Sequence, residues 1–411
     1  AFRWAQLTKL TLPEGVTEIG DAAFSSSSLK EVVLPSTLRK IGNSAFSRTQ
    51  LTKLTLPEGV TEIGPYAFNG TQLKDITLPT SVTAIGSEAF GSIDSLSSVV
   101  IPKNLSNAFG AFKGSQHLKT IHFEEGITKI ADGLFKDSGI SSITIPKTVT
   151  EIGSEAFRNT RITELYIPDS VTKLGTNSFS FSDNYSNDLP PLTKVSLPSE
   201  LQSTSSPFYG QKNLKEVVLR GNWKTIPIGL FSGTGIEKLV IPEGVTEIGD
   251  GAFSGSSLKE VVLPSTLRKI GNSAFSRTQL TKLTLPEGVT EIGPYAFNGT
   301  QLKDITLPTS VTAIGSEAFG SIDSLSSVVI PKNLSNAFGA FKGSQHLKTI
   351  HFEEGITKIA DGLFKDSGIS SITIPKTVTE IGSEAFRNTR ITELYIPDSV
   401  TKLGTNSFSF S

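Results

Sequence analysis

One phrase of seven residues returns along nearly the whole chain: apolar, two polar, apolar, one outward residue, apolar, then usually proline. Leu7–Pro13 is the first clear case, and Leu29–Pro35, Leu51–Pro57 and Leu73–Pro79 follow at a spacing of 22 residues. A period of this length is the signature of a solenoid. No repeat can bury its apolar face alone, so stacked neighbours complete the core. Starts run from residue 7 to residue 391, giving 18 repeats.

The repeat 51–72 shows the physics of one such segment. Leu54 and Leu56, at positions 4 and 6, alternate with polar neighbours, the period-2 pattern of a half-buried strand. Pro57 has no N–H to give a sheet and stops the strand. Glu58-Gly59 turns the chain, and Val60 and Ile63 form a second inward pair. Gly64 is expected to adopt a backbone conformation closed to other residues. Ala67 and Phe68 send a small and a large apolar group inward, and Asn69-Gly70 turns back to the next strand. Every repeat carries Phe near position 18, from Phe24 to Phe408, which predicts a continuous aromatic spine. Position 7 is Pro in 15 repeats and Glu124, Arg220 or Glu353 in the others.

The pattern LxxLxLPxxVxxIGxxAF resembles the BspA-type leucine-rich repeats of bacterial surface proteins and of some mucosal protozoa. It covers essentially all of 7–411. The chain departs from the family in two ways: its repeats, mostly 22 residues, are a little short, and the Cys position differs. Where many members carry Cys a few residues after the Phe, this one reads Ser-Arg-Thr, Asn-Gly-Thr or Arg-Asn-Thr. The expected fold is a leucine-rich-repeat solenoid: a curved right-handed β-rich superhelix. A parallel sheet lines its inner face, with short irregular or short-strand segments outside. The resemblance implies display at the cell surface or in the extracellular space. It also implies adhesion to host extracellular-matrix or other cell-surface proteins.

The repeat overrides the two or three domains that 411 residues would ordinarily suggest, and 1–411 reads as one continuous solenoid. A formal net charge of −1 gives no bulk reason to expect nucleic acid. No apolar run approaches the roughly 20 residues of a membrane span, so no membrane insertion is expected in this segment. With no Cys, disulfides and thiolate chemistry are excluded.

A longer period lies over the short one. Residues 29–182 recur unchanged as 258–411, so 7–235 is a first block of ten repeats and 236–411 a second, truncated one. The duplication returns every surface site ten repeats later, which raises reach and valency; a plain length polymorphism is the alternative. Residues 183–191 (Asp-Asn-Tyr-Ser-Asn-Asp-Leu-Pro-Pro) form an inserted loop, and the repeat at 192 is irregular, with Gln202–Pro207 where Ile-Gly should stand.

Few residues suggest chemistry. The four histidines are His117 and His122 with their copies His346 and His351. His-x4-His across a turn and a strand matches no zinc spacing. Asp183, Asn184, Asn187 and Asp188 offer oxygens to calcium, but their spacing is not that of an EF-hand loop. Serine is abundant without a Gly-x-Ser-x-Gly elbow, and the glycines follow the repeat period. Neither a cofactor nor an enzyme is expected. Asn69-Gly-Thr71, Asn104-Leu-Ser106 and Asn184-Tyr-Ser186 fit the N-glycosylation pattern, which has meaning only in a eukaryotic secreted chain.

The outward column at position 5 is more informative. It reads Thr11, Val33, Thr55, Thr77, Val100, His122, Thr144, Tyr166 and onward, mostly β-branched residues suited to a sheet surface. Val100, His122 and Tyr166, with their copies Val329, His351 and Tyr395, are expected to share one row and mark a binding patch. Asp183, Tyr185 and Asp188 on the inserted loop are a second candidate. The leading reading is a non-enzymatic adhesion or protein-binding surface. A structural spacer, stalk or filament component is the alternative. The chain opens and closes inside repeats, so it reads as an interior piece of a longer protein, and open strand edges at both ends predict end-to-end self-association.

Overall fold

The computed structural model describes residues 2–182, 191–203 and 205–410. Asp183, Tyr185 and Asp188 lie outside the described residues. The chain divides into two compact units, Ala1–Val218 and Leu219–Ser411. Each is a parallel β-solenoid, and no helix occurs among the described residues.

Each repeat lays down three segments: a front segment, paired as a strand in most repeats, a second short strand and a turn that carries the Phe. In the first unit the second strands form ladders. Glu18–Ile19, Lys40–Ile41, Glu62–Ile63 and Ala84–Ile85 make one; Lys129–Ile130, Glu151–Ile152, Lys173–Leu174 and Gln202–Ser203 make the next. Even the irregular repeat keeps register, with Lys173 opposite Gln202 and Leu174 opposite Ser203. The second unit repeats the arrangement from Thr225–Ile226 to Ala313–Ile314 and from Lys358–Ile359 to Lys402–Leu403.

The front column is less regular than the expected single sheet. Lys9–Thr11 pairs with Glu31–Val33, Asp75–Thr77 with Ser98–Ile101 and Thr120–Phe123, and Glu164–Tyr166 with Lys194–Leu197. No strand forms around Thr55 or Thr144. There the backbone takes its bond at the first residue of the segment instead: Gln72 N donates to Leu51 O (2.9 Å) and Arg161 N to Ile140 O (2.7 Å). The apolar residue at position 4 is half-buried at these breaks (Leu54, Ile143); in the paired strands it ranges from buried (Val32, Ile76, Val99) to half-buried (Leu10, Ile121). The second unit breaks at Thr284 and Thr373.

The Phe column is unbroken within each unit. From Phe2 to Phe208 consecutive rings stack at 5.1–5.8 Å between centroids, with planes within 25°. From Phe231 to Phe408 the spacing is 5.2–5.6 Å. Such centroid distances with near-parallel planes are offset stacks, each worth ~0.5–1.5 kcal/mol beyond the area buried.

The turn around each Phe alternates its hydrogen bonds. Ser44, Phe46 and Arg48 donate N–H to Pro65, Ala67 and Asn69 of the next repeat, while Ala45, Ser47 and Thr49 donate back three residues within their own. To aim its amide at the neighbour, the chain enters the left-handed region twice, at Ser44 (φ 53°) and Arg48 (φ 57°). Each such non-glycine residue costs ~1–2 kcal/mol. This corrects the expectation for Gly64. Its φ is not positive; the left-handed residue is Tyr66 (φ 57°), two positions later. Gly64 is glycine for space, because a Cβ there would lie 2.7 Å from Asn43 Oδ1 and 2.8 Å from Asn43 N. Where many family members carry Cys, a hydroxyl caps the spine: Thr49 Oγ1 donates to Phe46 O (2.9 Å) and Thr160 Oγ1 to Phe157 O (2.8 Å).

Candidate functional site

Alternation in the front strands fixes which residues face out. Residues at positions 3 and 5 point to solvent while position 4 points to the core, as in Asp75–Thr77 and Glu164–Tyr166. Thr77, Val100 and His122 are register neighbours, so they form a row. Tyr166 stands in a separate ladder opposite Ser196, and the break at Thr144 lies between the two in sequence. The expected single row is therefore two shorter ones, because the ladder fails at Thr55 and Thr144. His122 is exposed and Tyr166 is 56 % exposed, but Val100 is half-buried. In the second unit Val329 pairs with His351, and Tyr395 is 72 % exposed, outside any strand.

The same face carries apolar residues that the sequence reading passed over. Val240 (67 % exposed) sits in register with exposed Val262, and Val33 is exposed beside Thr11. Their β-branched type gave no signal, since it is also what a strand surface prefers. Beside them the position-3 column is a charge ladder. Lys9–Glu31 (3.0 Å), Lys194–Glu216 (2.6 Å) and Lys238–Glu260 (3.0 Å) pair across adjacent strands. The hydrogen bond that Lys194 donates to Glu216, together with the Glu216 charge, raises the Lys194 pKa above its ordinary value.

The second ladder repeats the device. Glu151 lies between Lys129 (3.2 Å) and Lys173 (3.2 Å), and Glu380 between Lys358 (3.1 Å) and Lys402 (3.1 Å). Partial burial pushes Glu151 up, but the two lysine hydrogen bonds outweigh it and the pKa falls below the ordinary 4.5. At Glu380 the bonds from Lys402 and Lys358 lower it in the same way. Exposed pairs of this kind contribute ~0–1 kcal/mol each. Their stronger effect is on pairing, because like charges opposite each other would destabilise the ladder.

The missing prolines have a structural reason in the duplicated segment. Glu124 accepts a bond from Thr80 Oγ1 (2.9 Å) and another from Lys103 N (2.9 Å), so one carboxylate ties three repeats together. The Lys103 amide is the main cause that holds its pKa below the ordinary value. Glu353 does the same with Thr309 and Lys332.

No group of three or more His, Asp or Glu side chains able to hold a metal occurs among the described residues. No helix of the described residues is long and apolar enough to cross a membrane. The geometry offers surfaces and shallow grooves lined by several repeats at once.

Comparison with known proteins agrees with this architecture. A family profile described as BspA type leucine rich repeat region (6 copies) matches residues 1–110, 108–228, 187–256, 224–338 and 290–411. No curated protein sequence matches the chain. Among solved structures, a leucine-rich repeat protein from Bacteroides ovatus is 23 % identical with a TM-score of 0.57, over 82 % of this chain and 84 % of that one. A leucine rich cell surface protein from Faecalibacterium prausnitzii is 24 % identical, with a TM-score of 0.43 over 85 % and 88 %. A leucine-rich repeat protein from Eubacterium ventriosum is 21 % identical, with a TM-score of 0.43 over 82 % of each. With the profile spanning both units and the stacked repeats it describes present in each, the chain belongs to the BspA-type leucine-rich-repeat family.

Proposed function

We propose that this chain is a non-enzymatic, protein-binding surface displayed outside the cell, and that it adheres to extracellular-matrix or other cell-surface proteins through the exposed front-strand face. The observation that carries the reading is the register pair Val100–His122 with exposed Tyr166, repeated as Val329–His351 with Tyr395. Exposed aromatic groups on a strand face that is uncharged beside Val100 and His122, where position 3 is Ser98 and Thr120, have the composition of a protein interface, in which aromatic anchors provide most of the affinity. Membership of the BspA-type family supports the proposed display outside the cell. The loop residues Asp183, Tyr185 and Asp188 remain a second proposed contact, and association between copies of the chain a proposed partner mode.

Alanine at His122, Tyr166, His351 and Tyr395 together tests it. Binding to a panel of immobilised extracellular-matrix proteins is expected to fall while the circular-dichroism spectrum stays intact. Unchanged binding with an intact spectrum would instead favour a spacer that holds another part of the protein away from the cell.

A further inference from the structure

A different face of each unit carries a groove with an aromatic end wall. At position 14 four successive repeats have no side chain: Gly20, Gly42, Gly64 and Gly86. Packing imposes this at Gly42, Gly64 and Gly86, where a Cβ would lie 2.7, 2.7 and 2.2 Å from atoms of the preceding repeat, but not at Gly20, which has open space. The next repeat breaks the row. Its turn is one residue shorter, reading Asn107-Ala108-Phe109-Gly110-Ala111-Phe112, and Phe109 stands on the line of glycines. The ring cannot fold inward, because Phe112 already fills the spine between Phe90 and Phe135. It projects and is 45 % exposed.

Phe109 is held in place by the following repeat. Gly133, at φ +60°, lies so close to the ring that a Cβ there would meet it at 2.4 Å, and Lys136 Nζ sits 4.7 Å from the ring centroid. The same ring closes a groove of about 260 Å³ over the preceding repeats, lined by Ile63, Ile85 and Pro65. Residues 229 positions on build the copy, about 380 Å³, closed by Phe338, which is 47 % exposed. The first volume falls just below and the second near the lower end of the range for small-molecule pockets, ~300–1,000 Å³.

The chemistry of the lining restricts the occupant. Glu62 at the groove's edge is matched by Lys40 at 3.5 Å, and in the copy Lys269 and Glu291 are register neighbours, so neither groove offers net charge. What remains is the exposed aromatic ring, half-buried Pro65 and neutral polar groups, the Asn107 amide and the Ser87 hydroxyl, while Ile63 and Ile85 are buried core residues beneath the groove. A rigid ring with uncharged donors and acceptors around it suits a ligand with an apolar C–H face and a rim of hydroxyls. We propose that each groove binds one unit of a neutral saccharide, its C–H face against Phe109 or Phe338 and its hydroxyls toward Asn107 and Ser87 or Asn336 and Ser316. The chain then carries two saccharide sites built from the same residue types, away from the front strands.

The test is a glycan array of neutral hexose and N-acetylhexosamine oligosaccharides beside sialylated and sulfated ones, probed with the intact chain. The best neutral glycan is then titrated by calorimetry. The expected result is retention of neutral glycans with two sites per chain. Phe109→Ala should weaken one of the two sites, and Phe109→Ala/Phe338→Ala should weaken both by about two- to tenfold, the equivalent of one aromatic stacking contact per site. Phe109→Tyr/Phe338→Tyr keeps both rings and should keep binding, which guards against a folding defect in the alanine variant. Retention of anionic glycans alone, no retention of any glycan, or unchanged binding in a folded double-alanine variant would overturn the proposal. Tyr166 and Tyr395 play no part in this assay, so its failure is separable from failure of the protein-binding reading.

Discussion

The front-strand column and the Phe column run side by side through the same repeats, yet only one of them is continuous. The front ladder stops at Thr55 and again at Thr144, whereas the rings stack without a gap from Phe2 to Phe208. Buried rings and the alternating turn bonds fix the pitch, and the front sheet forms where that pitch allows. A column relieved of holding the stack together is free to vary its outward residues, and so it can host recognition.

The sharpest way to break this comparison is to delete a ring. Phe157→Ala should destabilise its neighbourhood by ~3–5 kcal/mol, as buried Phe truncations do, and amide exchange should rise in the repeats on either side. Tyr166→Ala, in the very next front strand, should change stability by no more than ~0.5 kcal/mol. Similar losses from the two would mean that the columns share the load.

Tightening the turn from outside comes next. Gly86→Ala forces a methyl toward Pro65 N and should cost ~1–3 kcal/mol by urea denaturation, the range for overpacking. A neutral result would show that the turn stack is looser than the ring spacing implies.

The two blocks supply a smaller, two-way test. Ala22 (φ 51°) and Gly251 (φ 59°) hold the same place in the first and eleventh repeats. Ala22→Gly should stabilise the chain by up to ~1 kcal/mol and Gly251→Ala destabilise it by about as much, since only the alanine is strained there. Equal stabilities would deny that left-handed strain is carried at this site.

The least effect per group is electrostatic. Glu124, Glu151, Glu353 and Glu380 have folded pKa values below the ordinary 4.5. The unfolded chain therefore binds more protons as the pH falls, so the stability these groups add is complete at neutral pH and is lost on acidification through and below that value. The Tm should drop between about pH 6 and about pH 3, and Glu124→Gln/Glu353→Gln should flatten the drop. An unchanged slope would remove those two carboxylates from the account.

What the sequence reveals divides along the same line. Period, strand polarity and the Phe spine were legible, because each requires one residue type at one position. The breaks in the front ladder were not. Leu7-Thr-Lys-Leu-Thr-Leu12 and Leu51-Thr-Lys-Leu-Thr-Leu56 are the same hexapeptide, yet Lys9–Thr11 is a strand and Lys53–Thr55 is not. The neighbouring repeats decide, not the local residues. The left-handed positions were hidden in another way. Ala22, Ser44, Tyr66, Glu88 and Glu155 all occupy the same place, so no residue type announces it. Of the candidate surface, His122 and Tyr166 were found as outliers in a column of Thr and Val. Phe109 was missed, although the one-residue contraction before Phe112 marks it.

The exact duplication of 29–182 as 258–411 has a consequence for how the chain finds its fold. Every interface between repeats in the first copy has an identical counterpart in the second. A folding repeat therefore meets the same complementary surface whether it docks on its sequence neighbour or on that neighbour's twin, 229 residues away. The contacts themselves hold no proofreading information. What separates the two choices is the extra entropy of closing a loop some ten times longer, roughly 2 kcal/mol from the logarithm of the length ratio. Correct order is thus kept by connectivity, through the head start of the adjacent repeat, and not by any difference between right and wrong partners.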